Sequence, residues 1–214
     1  MIGMKLKWLV GFGAAGGLAV LVVCLVPAPG SHAVAATPFL ALSRVPVPEM
    51  PAKAADLVQA APVLERETTA AAVLSAVATM ARPGVMPYVV SAICRRNPEV
   101  AGAVVATAIQ LQPDDELAFC RAALCAVPDR VGQVVASACA AAPESFADVA
   151  LVASGRCPTA DHLILNGLTN ALPGLIPYLE QAARQGGTND FATLISQTVQ
   201  LVRDAAKAES KKRK

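Results

Sequence analysis

The sequence predicts an all-α protein: short antiparallel helices of a 15-residue, proline-initiated repeat, two helices per 30 residues, stacked as an α-solenoid. Three observations predict it. Proline stands at Pro83, Pro98, Pro113, Pro128, Pro143, Pro158 and Pro173, always 15 residues apart, and a fixed period marks a repeat architecture. Within a unit such as Pro128 to Ala142, apolar residues fall at the fourth, seventh, eighth and eleventh positions, here Val131, Val134, Val135 and Ala138. That spacing is the stripe of an amphipathic helix. Acids follow the prolines at Glu99, Asp114, Asp115, Asp129 and Glu144, where a helix dipole favours negative charge. Proline fits a first turn because its missing N–H has no partner there, and it pushes the preceding residue out of the helical region. Each unit therefore starts itself and stops its neighbour.

A single long rod is excluded, because a mid-helix proline costs about 3 kcal/mol and would recur in every unit. The expected helices are about 12 residues and about 18 Å long. Helices that short are marginal alone in water, so they must bury their stripes against one another. Alanine at the inner columns (Ala108, Ala123, Ala138, Ala153, Ala183) predicts close approach with modest burial per unit. A compact irregular helical bundle is the competing arrangement. The unit is generically similar to helical-repeat solenoids such as HEAT-like arrays, a resemblance that carries no functional residues with it.

Taken in order, residues 1–35 read as a secretory signal peptide. Lys5 and Lys7 precede the apolar run Trp8 to Val26, and Ala33-Val34-Ala35 offers a small-residue cleavage site. An uncleaved anchor is the alternative, and it would be the chain's route to a membrane. Leu21-Val22-Val23-Cys24 resembles a lipobox, but Val23 stands where a small residue is expected. Residues 36–52, with Pro38, Pro46, Pro48 and Pro51, read as an extended proline-rich linker. Residues 53–202 read as the helical-repeat domain. Its first, degenerate unit is expected from Thr68, with Thr68 or Thr69 as cap, and its closing helix after Asn189 or Asp190. In the outer copies, Pro83-Gly84 and Pro173-Gly174 are turn signals, with helices expected from Pro87 and Pro177. Residues 203–214 read as a disordered basic tail, whose Lys211, Lys212, Arg213 and Lys214 offer electrostatic attachment to an anionic surface.

Charge excludes one class of function. The formal net charge is +2. Much of the positive charge is in Lys5, Lys7 and the tail, so the body is mildly acidic and not a specific nucleic-acid binder. In an exported chain disulfides are the default. Cys94 and Cys125 stand at nearly equal height two units apart, and Cys120 with Cys139 is a second candidate pair; Cys157 is the odd one left over. His162 follows Cys157 at no zinc-binding spacing, and there is no nucleophile motif, phosphate loop or paired-carboxylate signature. No metal or cofactor is expected, and no catalytic residue. Tyr88 and Tyr178, at matched positions of the outer units, are candidate binding anchors. The expected role is that of an exported, non-enzymatic scaffold in the periplasm or cell envelope, with an unidentified protein partner. A structural envelope protein held by its N-terminal segment or tail is the alternative.

Overall fold

The 15-residue period resolves into three pieces in the computed structural model, which describes residues 38–80, 82, 84–186 and 190–212. A regular unit is a three-residue 3-10 turn opened by the proline, an eleven-residue α-helix, and one extended residue before the next proline. Pro98–Val100 with Ala101–Leu111, Pro113–Asp115 with Glu116–Ala126, and Pro128–Arg130 with Val131–Ala141 repeat this layout without change. The extended residue is where proline acts on its predecessor. Asn97, Gln112, Val127, Ala142, Cys157 and Leu172 all sit at φ between −129° and −142° and ψ between 66° and 78°. Each still donates its N–H to the carbonyl four residues back, as Asn97 does to Ile93 at 2.8 Å and Ala142 to Ala138 at 2.8 Å. The helix thus completes its last bond before the chain turns.

Eleven helices are present among the described residues, and no strand. They are α1 (38–43), α2 (Met50–Ala60), α3 (Arg66–Thr79), α4 (Met86–Arg96), α5 (Ala101–Leu111), α6 (Glu116–Ala126), α7 (Val131–Ala141), α8 (Phe146–Arg156), α9 (Asp161–Ala171), α10 (Ile176–Gly186) and α11 (Phe191–Lys212). From α2 to α9 the dominant packing is between alternate helices. One row is α2, α4, α6 and α8; the other is α3, α5, α7 and α9. The fold is the expected solenoid-like helical repeat. The expected columns are buried, as at Met86, Val89, Val90 and Ile93, and so is a further one at position twelve: Cys94, Ile109, Leu124 and Cys139. Each fully buried Val or Leu contributes about 1.5–3 kcal/mol, so the stack is held by many similar increments.

The ends differ from the reading of the sequence. Residues 38–52 are largely helical, not an extended linker: α1, a 3-10 turn at Val47–Glu49, and the start of α2 occupy all but residues 44–46. The prolines fall where a helix tolerates them, Pro46 before the turn, Pro48 within it, and Pro51 second in α2. The first degenerate unit starts not at Thr68 but at Val63–Glu65, behind Pro62. Thr68 Oγ1 donates to the Glu65 carbonyl at 2.9 Å inside the first turn instead of capping it. Helices α4 and α10 begin one residue before the expected Pro87 and Pro177, and Gly84 takes φ 75° in the turn ahead of α4.

At the C-terminal end, Asp190 caps α11: its Oδ2 accepts from the Thr193 N–H at 3.0 Å and from Thr193 Oγ1 at 2.5 Å. These bonds hold the Asp190 carboxyl below its ordinary range. Helix α11 runs on to Lys212, so residues 203–212 are helical, not a disordered tail. Ala205, Ala206 and Ala208 are strong helix formers, and Lys207 pairs with Asp204 at 3.8 Å. Basic residues at a helix C-terminus also suit the dipole.

Candidate interaction surface

The two rows differ in chemistry. In the row that carries α5, α7 and α9, the helices AGAVVATAIQL and VGQVVASACAA hold no charged residue, and α9 holds only Asp161, in its first turn. Gln110, Gln133, Ala140, Leu163, Asn166 and Asn170 are exposed there. The other row carries charge throughout: Lys53 and Asp56 on α2, Arg95 and Arg96 on α4, Glu116 and Arg121 on α6, Asp148 and Arg156 on α8. These three helices are also closely packed at the backbone. A side-chain carbon at Gly167 of α9 would lie 2.5 Å from the Gly132 carbonyl oxygen of α7, and one at Gly102 of α5 would lie 2.5 Å from Ser137 Oγ of α7. The result is a surface nearly free of charge, built from three successive helices, with charge only at Asp161 in the first turn of α9 and in the turns at its edge, at Glu99, Asp129 and Arg130.

A second feature lies at the C-terminal end. Position eight is small or apolar in the units from Pro83 to Pro158 (Val90, Val105, Cys120, Val135, Ala150, Leu165) but is Glu180 in the next. A carboxylate cannot enter that buried column without a partner. Helix α10 therefore turns a shifted stripe inward: Leu179 and Ala182 are buried, as is Leu175 in the turn before it, while Ala183, expected inside, is exposed. It packs on α11, and α11 packs on α8. Between α8, the turn Pro173–Leu175 and α11 a groove of about 780 Å³ remains open, walled by Phe146, Leu151, Leu172, Ile195, Val199 and Val202. Glu144 and Asp148 stand on its α8 side, Gln200 and Arg203 on its α11 side.

The residues singled out from the sequence are not drawn into one site. Cys94, Cys120, Cys125, Cys139 and Cys157 are all free thiols, so neither Cys94–Cys125 nor Cys120–Cys139 is a disulfide. Adjacent helix positions point about 100° apart; position twelve buries Cys94, whereas position thirteen leaves Cys125 exposed. Cys120 and Cys139 are both buried in the core, and burial pushes both thiols, like Cys94, up to about 12. Such thiols stay protonated near neutrality and are poor nucleophiles. Burial also raises the Cys157 thiol, whose Sγ lies 3.9 Å from the Pro128 carbonyl oxygen.

Tyr88 is 70% exposed on α4, and Tyr178 is half-buried on α10, six units away. Lys211 and Lys212 end α11, while Arg213 and Lys214 lie outside the described residues, as does the whole of 1–37. His162 is exposed. Among the described residues no three His, Cys, Asp or Glu side chains gather as metal ligands would, and no helix is long and apolar enough to cross a membrane. Neither the charge-poor surface nor the groove was singled out from the sequence. The signals that could have found them were the scarcity of charge in alternate units and the lone Glu180 in an apolar column. The chain matches no known family model, no curated protein and no solved structure.

Proposed function

We propose that the chain is an exported, non-enzymatic scaffold of the periplasm or cell envelope that binds a protein partner across the outer surface of α5, α7 and α9. The observation that carries this reading is the scarcity of charge on three consecutive helices of one row, which hold only Asp161, while the opposite row keeps it. Interface cores are depleted of charged residues, because a charge buried without a partner is costly. A surface of Ala, Ser, Thr, Asn and Gln loses little on desolvation, and its amide and hydroxyl groups can bond to a partner backbone. Stacked repeats supply the extended area such contacts need. Export is supported by Lys5, Lys7, the apolar run to Val26 and the Ala33-Val34-Ala35 site.

The test is crosslinking and affinity capture from the native envelope, with Ala106→Glu/Ala136→Glu/Asn166→Glu compared against Arg95→Glu/Arg121→Glu. Both sets change exposed or half-buried positions, and circular dichroism checks that the helices remain. A partner lost only by the first set supports the reading. A partner lost only by the second set, or retained by both, overturns it.

A further inference from the structure

The two ends of the array are each incomplete, and in complementary ways. Terminal units of a solenoid need a polar outer face to meet water. Among the described residues the N-terminal end exposes apolar side chains instead: Phe39 is 41% exposed and Leu40 is 68% exposed on α1. Arg44 follows them, exposed and without an ion-pair partner among the described residues. The C-terminal end has the apolar groove left by the displacement of α10, with Leu151 42% exposed on its wall. Glu144 and Asp148, four residues apart on one rim, also lack ion-pair partners among the described residues. Like charges at that spacing on neighbouring turns repel, and a cation seated between them relieves this.

We propose that the chain assembles head to tail, with α1 of one copy seated in the C-terminal groove of the next. Phe39 and Leu40 enter the apolar floor, and Arg44 reaches the Glu144 and Asp148 rim. The incoming helix lies beside α8, where the register of the array would have put its own next helix. The contact is heterologous: each copy uses one end as donor and the other as acceptor, so assembly continues past a dimer unless it closes into a ring.

The experiment is sedimentation analysis of residues 36–214, which contain the entire core cluster from Leu42 to Ile195, alongside the full chain in mild detergent. Wild type is expected to grow in mass with concentration beyond a dimer in both forms. Leu40→Asp and Leu151→Asp, both at exposed positions, are each expected to weaken self-association at least about tenfold while leaving the helical circular dichroism unchanged, as burying an unpaired carboxylate requires. Mixed in equal amounts, the two variants keep one intact donor end and one intact acceptor end, so they are expected to form dimers and stop there. A monomeric wild type overturns the proposal. So does association of residues 36–214 but not of the full chain, which would give the groove to residues 1–35. Association that survives either variant, or a mixture that stays monomeric, overturns it as well.

Discussion

The two rows of the array differ in how closely their helices approach one another. Between α4, α6 and α8 the contacts are made by large side chains, with Phe119 and Leu124 fully buried and Phe146 nearly so. Between α5, α7 and α9 buried side chains such as Ile109, Val135 and Leu168 are joined by close approach at glycine, with Gly102, Gly132 and Gly167 at those points. The first row should fail when a side chain is cut down, the second when one is built up. Phe119→Ala is expected to have the largest effect, a loss of about 3–5 kcal/mol, read from chemical denaturation monitored by helical circular dichroism. A loss below about 1 kcal/mol would mean that this row does not depend on bulk.

The mirror-image change is Gly167→Ala. On helix propensity alone it should stabilise by about 1 kcal/mol. Here the added carbon meets the Gly132 carbonyl oxygen at 2.5 Å and the Val135 side chain at 3.2 Å. A backbone carbonyl cannot swing aside, so the helices must separate, and overpacking of this kind costs about 1–3 kcal/mol. The expected outcome is a net loss of stability; a net gain would refute the close approach. Gly155→Ala is the control, because nothing lies within 4 Å of a carbon added there, in the last turn of α8. It should stabilise by about 0.5–1 kcal/mol. Opposite signs for the same substitution in the two rows would separate packing from propensity.

Much of this contrast could be read from the sequence, but not its consequences. The prolines and the apolar columns state the unit, because both act locally: proline fixes its own turn and its predecessor, and the stripe follows from helix geometry. Burial at position twelve could not be read from one helix, since it depends on how deeply each helix sits between its neighbours. The fate of the cysteines turned on one residue of phase, which decides between a buried Cys94 and an exposed Cys125. The number of prolines in residues 36–52 suggests a linker, whereas the positions of Pro46, Pro48 and Pro51, each at the start of a helical turn, suit helices. Glu180 was visible, but a single acid in a column gives no direction for the helix that must avoid burying it. The lack of charge on α5 and α7 was equally visible, and became a surface only once alternate helices were known to be neighbours.

Each row is also tied across alternate units by an ion pair near its N-terminal end, and these give the smallest expected effect. Asp56 of α2 meets Arg96 of α4, and Arg66 of α3 meets Glu99, in the turn before α5, at 2.5 Å. The second pair is the more sheltered, with Arg66 22% exposed. Its hydrogen bond to Arg66 is the main reason the Glu99 carboxyl is held below its ordinary range. A carboxylate with a lowered folded-state pKa stabilises above its unfolded value, and that stability is lost as pH falls through the folded value. Glu99 is itself partly exposed, so solvent screening limits the pair to about 0.2–1 kcal/mol. Glu99→Gln should therefore reduce stability by that amount at neutral pH, and by progressively less in acid, until variant and wild type coincide once Glu99 is protonated. Denaturation curves across an acid titration test this directly. A difference that stays constant or widens toward low pH would show that the turn before α5 is held by its backbone and by packing.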